Sequence, residues 1–193
     1  MTSSSSDDSE PEVRSAGVSA EVPDWSREAL RVGAWDPPRA LLASIRAWRK
    51  AQGSDRVDQV AQRWLAVLRH RFWSVVTGAD IPLNCAIEGG LLLPHPNGIV
   101  IHPRVRIGPN CMLFQQVTLG TGGPMPGAPT LAGHVDIGAG AKVLGGVTIG
   151  AHAVIGANAV VLCDVPAGAT AVGIPARIVA RTDPVAPAPE TLA

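Results

Sequence analysis

The chain has no tyrosine and only two phenylalanines among its 193 residues, and charged residues make up just 17% of it. Soluble domains average about 25% charged residues. Because hydrophobic residues still reach 46%, the composition predicts a narrow core of small and aliphatic side chains. Basic and acidic residues balance at sixteen each, and there is no lysine-rich tract. Nucleic acid, which needs a basic stripe, is therefore not an expected partner.

Cysteine is also scarce. Cys85, Cys111 and Cys163 include no CxxC pair, which argues against a zinc site and against a disulfide framework. We expect each thiol to fill a small buried position. No run of 18 apolar residues suggests a membrane span, and the polar first residues lack the apolar segment of a signal peptide. These absences favour a cytoplasmic protein that uses neither a membrane nor a metal.

Composition and periodicity divide the chain into four parts. Residues 1–22 are rich in Ser, Asp and Glu and are predicted to form a disordered tail. Residues 182–193 are predicted to form a second loose tail. Between them, residues 23–78 are predicted to be helical, and residues 79–181 follow a different period.

The helical part is predicted to be a hairpin. Leu41, Leu42 and Ile45 recur as one face of a first helix, and a second apolar face runs through residues 57–72. Gly78 is placed to end the second helix. These apolar faces need a partner, either each other or the domain that follows.

From residue 81 onwards, aliphatic residues recur every six positions, a spacing that fits neither a helix nor a single strand. Such a period indicates one short strand and one turn per repeat. The register is interrupted twice, by residues 94–100 and by residues 120–136. Its twelve members are Ile81, Ile87, Leu93, Ile101, Ile107, Leu113, Leu119, Ile137, Val143, Ile149, Ile155 and Val161.

Three hexads make one triangular coil, in which the aliphatic residues point inward and successive coils stack by parallel strand pairing. Each coil then buries its interior only against its neighbours. The second interruption contains several glycines and prolines, so we expect it to be extruded as a loop. Loops on a rigid scaffold commonly carry function.

The first interruption contains His95, and Asp80 lies fifteen residues earlier. Because a full coil takes eighteen residues, the two should fall on adjacent coils near one corner. A carboxylate bonded to one ring nitrogen fixes the histidine tautomer and leaves the other nitrogen as a base. Such a pair can activate a hydroxyl for attack on a thioester. The other four histidines are expected to be solvated or structural.

The region from Ala79 to Arg177 resembles the catalytic half of the serine O-acetyltransferases, within the hexapeptide-repeat acyltransferases. The matching segments, in order, are ADIPLNCAIEGGLLLPHPNGIVI, CMLFQQVTLG, DIGAGAKVLGGVTIGAHAVIGANAVVLCDVPAG and VGIPARIV. The resemblance implies a mainly β fold, a left-handed parallel β-helix, here preceded by a short α-helical region. It also implies a homotrimer or a dimer of trimers, with each active site between two adjacent helices.

By the same resemblance, the chain is expected to transfer an acetyl group from acetyl-CoA to a small-molecule hydroxyl. His95 matches the catalytic base and Asp80 its carboxylate partner, while a backbone N–H near Gly120 would stabilise the oxyanion. Acetyl-CoA is the only cofactor expected, as a co-substrate. The positions that match the CoA groove are Gly120, Thr121, Ala139, Ala157 and Arg177.

Departures from the family concern the acceptor. Pro94 stands where the family has an aspartate that contacts the serine amino group, and the loop at 120–136 lacks the Arg-His pair that meets the serine carboxylate. His134 or Arg104 could substitute, and Asp36 could match a family aspartate of the helical part. The chain ends in alanine rather than isoleucine, so a complex with the next enzyme of cysteine synthesis is not predicted.

Three functions stay open at this point. The first is serine O-acetylation for cysteine biosynthesis. The second is acetylation of another hydroxyl or amine, on a sugar, a polysaccharide or a small metabolite. The third is a β-helix without acetyltransferase activity, either a scaffold or a zinc-dependent hydratase that gathers three histidines.

Overall fold

A computed structural model describes residues 17–30, 33–53 and 56–181, which are mostly β-structure with two α-helices. A 3-10 helix spans Trp25–Glu28, α1 spans Pro37–Lys50 and α2 spans Val57–Thr77. Within the described ranges, no helix is both long and apolar enough to cross a membrane. The predicted tail 182–193 lies outside the described residues, as do residues 1–16 of the other tail.

The strands are short, most of them two residues long. They are β1 Ala86–Ile87, β2 Val100–Ile101, β3 Arg106–Ile107, β4 Met112–Leu113, β5 Thr118–Gly120, β6 Thr130–Leu131, β7 Asp136–Ile137, β8 Lys142–Leu144, β9 Thr148–Ile149, β10 Val154–Ile155, β11 Val160–Val161, β12 Ala169–Val172 and β13 Arg177–Arg181.

These strands form three sheets, which we call faces A, B and C. The strand order is β2-β5-β8-β11 in face A, β1-β3-β6-β9 in face B and β4-β7-β10-β12-β13 in face C. Pairing is parallel except between β12 and β13. Because the chain visits A, B and C in turn and each circuit pairs with the one before, the sheets make a three-sided parallel β-helix.

The core lies inside this coil. All twelve aliphatic residues of the predicted register are buried, with at most 3% of any of them exposed, which confirms the six-residue reading. Residues two positions earlier, such as Ile99, Val117 and Val147, are also buried because alternate residues of a strand share a face.

Two of the three thiols occupy such inward positions. Burial raises the pKa of Cys85 to about 11 and that of Cys111 to about 12. The expectation was wrong for Cys163, which is exposed. It falls in the turn between the buried Val161 and Val165, where the side chain points away from the core.

The two interruptions lengthen single coils without shifting the register. Asp80 pairs with Val100, twenty residues on, and Thr118 pairs with Lys142, twenty-four residues on, whereas Lys142 and Val160 keep the eighteen-residue step. The extruded loop is shorter than predicted: only residues 121–129 leave the coil. Strands β6 and β7 resume the repeat within the interval that we expected to be irregular.

Helix α1 closes the first coil. It begins at Asp36, whose carboxylate accepts a hydrogen bond from the Arg39 amide. Leu41, Leu42 and Ile45 are buried in the same cluster as the β-helix core, as their spacing predicted. The first coil is further tied to α1 because the Arg46 guanidinium donates to the Ile87 carbonyl at 2.6 Å.

Helix α2 departs from the prediction. It ends at Gly78, which has the left-handed φ of 67° expected for such a cap, but the described residues leave its predicted apolar face largely exposed. Trp64, Leu68 and Phe72 are each more than half exposed, and α2 buries only Ala66 and Thr77. The large side chain of α2 that does pack against the core cluster is Trp73, which is partly buried.

Part of the predicted N-terminal tail is ordered. Composition predicts disorder over residues 1–22, but residues 17–22 lie against the β-helix. The fully buried Asn110 amide donates to the carbonyls of Ser19 and Val22 at 2.7 and 2.8 Å, and its Oδ1 accepts from the Asp24 amide at 2.8 Å. These bonds satisfy an amide that would be costly to bury without partners.

The same column of turns, between faces B and C, carries a histidine pair. His134 and His152 follow Asn110 at equivalent points of the next coils, and all three have a left-handed φ between 53° and 60°. The two Nδ1 atoms lie 2.8 Å apart, within hydrogen-bond distance. Burial lowers the pKa of His134, and the nearby His152 and Arg27 lower it further, while Asp136 opposes them.

We predict that Ile149→Ala lowers the free energy of unfolding by about 2–5 kcal/mol, because it removes a fully buried side chain from a core that relaxes only in part. Urea denaturation at neutral pH measures the change. Val154→Ala, at a position 41% exposed in the neighbouring strand, is the matched control and should cost less than about 0.5 kcal/mol. Equal losses in the two variants would contradict the inward register.

We also predict that acid destabilises the protein through His134. Its pKa in the folded chain lies below the ordinary value of 6.5, so the folded state binds fewer protons than the unfolded state. This contribution to stability is present above pH 6.5 and is lost as the pH falls through the lowered pKa. Urea denaturation at pH 7.5 and pH 5.5 tests it.

The control is His134→Asn, since asparagine is already accommodated at the equivalent Asn110 turn. The wild type should lose more stability than this variant between the two pH values. Asp136, whose pKa is raised by burial, is present in both proteins and largely cancels from the comparison. The same loss in both proteins would refute the assignment.

Candidate active site

The turns that lead from face C to face A stack into a column, which we call the C–A corner. Its turns comprise residues 94–99, 114–117, 138–141 and 156–159. Backbone bonds join each turn to the previous one. The amide of Gln116 donates to Asn97 at 2.9 Å, that of Gly140 to Gln115 at 2.8 Å and that of Asn158 to Ala139 at 2.8 Å.

His95 lies in the first turn of this column, at the end nearest the helices. The amide of Gly98, in the same turn, donates to the Gly78 carbonyl at 2.8 Å, and Asp80 begins face A two residues after Gly78. Asp80 therefore lies at the edge of face A next to the turn that holds His95, on the preceding coil, and their pairing stays a prediction. Both side chains are exposed, and no hydrogen bond joins them in the described structure.

Three of the residues matched to a CoA groove follow the same corner. Ala139 and Ala157 occupy successive turns above His95. Arg177 lies at the far end, where the Ala176 amide donates to the Val160 carbonyl at 2.8 Å. The Arg177 guanidinium is exposed and donates to its neighbouring Ala176 carbonyl at 3.0 Å.

Small residues allow these turns to stack closely. A Cβ atom added to Gly138 would lie 2.6 Å from the backbone nitrogen of Ala157, closer than any side chain could be accommodated. The resulting corner is a narrow edge with little side-chain bulk, where a bound molecule could approach the backbone.

The other two matched residues are not at this corner. Gly120 ends β5, where it pairs with Leu144, and Thr121 begins the extruded loop. Both lie at the opposite edge of face A. Within one chain the structure therefore gathers His95, Asp80, Ala139, Ala157 and Arg177, and separates Gly120 and Thr121 from them by the width of one sheet.

Sequence reasoning overlooked three side chains at the corner. The Phe114 ring lies 6.5 Å from the His95 ring, between centroids. Gln115 follows it, with a buried Oε1 that has no hydrogen-bond partner among the described residues. The Lys142 ammonium donates to the carbonyls of Gln116 and Gly140 at 2.6 and 3.0 Å and thus braces two successive turns.

The remaining histidines lie elsewhere. His102 is at the A–B edge, where its Nδ1 accepts from the Arg104 amide at 3.2 Å. His70, on α2, contacts the Ile81 carbonyl through Nε2 at 2.8 Å. Within residues 17–30, 33–53 and 56–181, no three His, Cys, Asp or Glu side chains come together to hold a metal ion.

Comparison with known proteins gives matches among solved structures. No protein-family model and no curated protein matches the chain. A soybean serine acetyltransferase complexed with serine is 36% identical, with a TM-score of 0.59, over 74% of this chain and 56% of that one. A serine acetyltransferase in complex with CoA is 34% identical, with a TM-score of 0.60, over 80% and 60%. The Neisseria gonorrhoeae serine acetyltransferase is 33% identical, with a TM-score of 0.61, over 77% and 54%.

The chain thus spans a little over half the length of these structures, from 54% to 60%. The matches cover about three quarters of this chain or more and include both sequence and fold. The chain is therefore a relative of the serine acetyltransferases.

Proposed function

We propose that the protein is an acetyltransferase that moves the acetyl group of acetyl-CoA to the hydroxyl of L-serine. The observation that carries the proposal is the C–A corner, where His95 and Asp80 stand at the foot of a column of small residues. The two substrates in the proposal are chosen because one solved relative is complexed with serine and another with CoA.

In the proposed reaction, His95 takes the proton of the serine hydroxyl as its oxygen attacks the thioester carbonyl. The tetrahedral intermediate then collapses and its C–S bond breaks. The protonated imidazole returns the proton to the leaving thiolate, which yields O-acetylserine and CoA. The nearby Asp80 carboxylate would orient the ring and stabilise the imidazolium. A backbone N–H near Gly120 remains our candidate for oxyanion stabilisation.

Acetyl-CoA would lie along the C–A corner. Neighbouring strands are about 4.8 Å apart, so the four steps from the His95 turn to the Arg177 turn span about 19 Å. An extended ligand could bind with its thioester at His95, its amide groups beside Ala139 and Ala157, and its phosphates towards Arg177. The exposed guanidinium suits phosphate recognition.

Assembly follows from the same proposal. We predict a left-handed coil, a homotrimer with sites between adjacent β-helices, and a cytoplasmic location. Gly120 and Thr121, at the far edge of face A, could then line a groove shared with a neighbouring chain. The exposed apolar side of α2 favours association, because large exposed apolar patches commonly mark interfaces. A dimer of trimers is the larger assembly that it would allow.

A second acceptor class is favoured by one observation. The extruded loop from Thr121 to Ala128 has no charged side chain, and Pro94 next to His95 has no polar group. A zwitterion needs partners for both of its charges once water is excluded. A neutral hydroxyl, as on a sugar, would not need them.

The proposed function predicts that His95→Ala lowers kcat by about 10²- to 10⁴-fold, the usual contribution of a general base. The KM for acetyl-CoA should change little, because the ligand is held by the corner. Turnover is measured by the loss of thioester absorbance with L-serine and a panel of sugars and amines. A thiol reagent is less suitable, since Cys163 is exposed and would react as well.

His102→Ala is the matched control, because this histidine lies at the A–B edge and should be dispensable within one chain. A folded His95→Ala protein with wild-type turnover would contradict the proposed mechanism. Turnover with another acceptor and none with serine would select the second acceptor class. If no acceptor is acetylated and acetyl-CoA gives no thermal shift, the protein is a scaffold instead.

A further inference from the structure

A cavity of about 290 Å³ lies beside the turn that carries His95, between the start of α1 and face C of the first coil. Its floor is apolar and consists of Leu91, Leu92 and Leu93, which lead directly to Pro94 at its edge. Leu42 of α1 covers it from the other side. His95 is the next residue after Pro94, so the turn that carries the proposed base begins at the edge of this cavity.

The charged side chains that line this cavity are Asp36 and Arg39, from the first turn of α1. The Arg39 Nη1 atom lies 2.6 Å from Asp36 Oδ2, and the two side chains are 22% and 17% exposed. Arg39 Nε donates to the Arg27 carbonyl at 2.9 Å. Its Nη2 atom makes no hydrogen bond within the described chain. A carboxylate could therefore bind Arg39 without displacing Asp36.

The other candidate cations are placed away from this cavity. His134 is at the B–C corner, paired with His152. Arg104 is at the A–B edge, after His102. The extruded loop contributes no charge at all. Lys142 lies at the C–A corner, but its ammonium donates to the carbonyls of Gln116 and Gly140 and does not line the cavity. Among the described residues, Arg39 is the cation that lines it.

We propose that Arg39 binds the carboxylate of an α-amino acid acceptor in this cavity, in place of a cation from the extruded loop. This inference rests on the proposed function and assigns its acceptor charges to α1 rather than to the loop. The leucine floor and Pro94 offer no polar side chain to an acceptor, so its charged groups would have to be met at the start of α1.

The charges of Arg39 and Asp36 neutralise each other in the ion pair that lines the cavity. A lone arginine or aspartate in an apolar cavity would carry a desolvation cost, but the preformed pair does not leave either charge unmatched. An arriving zwitterion adds one charge of each sign beside the opposite charge of the pair. Arg39 offers two Nη2 protons, and an ionised carboxylate such as Asp36 keeps unused lone pairs.

The test compares L-serine with L-serinamide, in which a neutral amide replaces the carboxylate. Wild-type protein should prefer L-serine in kcat/KM by about 10- to 100-fold, the range expected for a charge-assisted hydrogen bond. Arg39→Met should reduce this preference to less than about threefold while the KM for acetyl-CoA is unchanged. Arg39→Lys keeps the positive charge but loses the planar guanidinium group with its several N–H donors. This variant should keep part of the preference for L-serine.

Arg104→Met is the matched control, and it should keep the full preference. The proposal is overturned if Arg39→Met retains the preference, if Arg104→Met loses it, or if the wild type uses the two acceptors equally. In each of these cases serine is still acetylated, so the proposed function stands. A wild type that acetylates no amino acid overturns both. The wild-type comparison of the two acceptors remains decisive even if Arg39→Met does not fold.

Discussion

The stacking of coils by parallel pairing is the constraint on which the rest of the structure depends. Each coil buries its aliphatic residues only against the coils above and below, so every inward residue must lie directly over another. Ile101 over Leu119 and Leu119 over Val143 are such steps. Once this register is held, residues at equivalent points of successive coils form straight columns. The C–A corner and the Asn110–His134–His152 column both arise in this way.

The register also decides where the chain can accept extra residues. An insertion within a strand would shift the inward residues to the outside, whereas an insertion at a corner leaves the pairing intact. Both long coils obey this rule, since Val100 and Lys142 remain in step with their neighbours. The additions hold His95 in one case and the uncharged loop in the other. The proposed base and the extruded loop thus both lie at corners, where the coil register places the fewest restrictions on chain length.

This division explains what could be predicted from the sequence. The inward residues and the common corner of Asp80 and His95 follow from counting, because the repeat converts sequence distance into position. The ordered residues 17–22 could not be predicted, since their partner Asn110 lies nearly ninety residues away and does not differ in type from a surface asparagine. Cys163 was misjudged because its hydrophobic character suggested burial, while its place in a turn decided its exposure. The apolar residues on the exposed face of α2 recur with a helical period, but nothing in the sequence indicates which surface packs against them.

The same separation bears on how substrate choice could change in such a molecule. The C–A corner is set by the coil register, and its side chains can also join successive turns, as Lys142 does through the carbonyls of Gln116 in the preceding coil and Gly140 in its own. Helix α1 is outside this register, since it meets the β-helix through Leu41, Leu42 and Ile45 and its first turn lines the cavity without pairing with any strand. Charges carried by that turn can be exchanged without disturbing the pairing of any strand. A site assembled from both parts can therefore keep its transfer chemistry on the coil while the acceptor is selected by the helix.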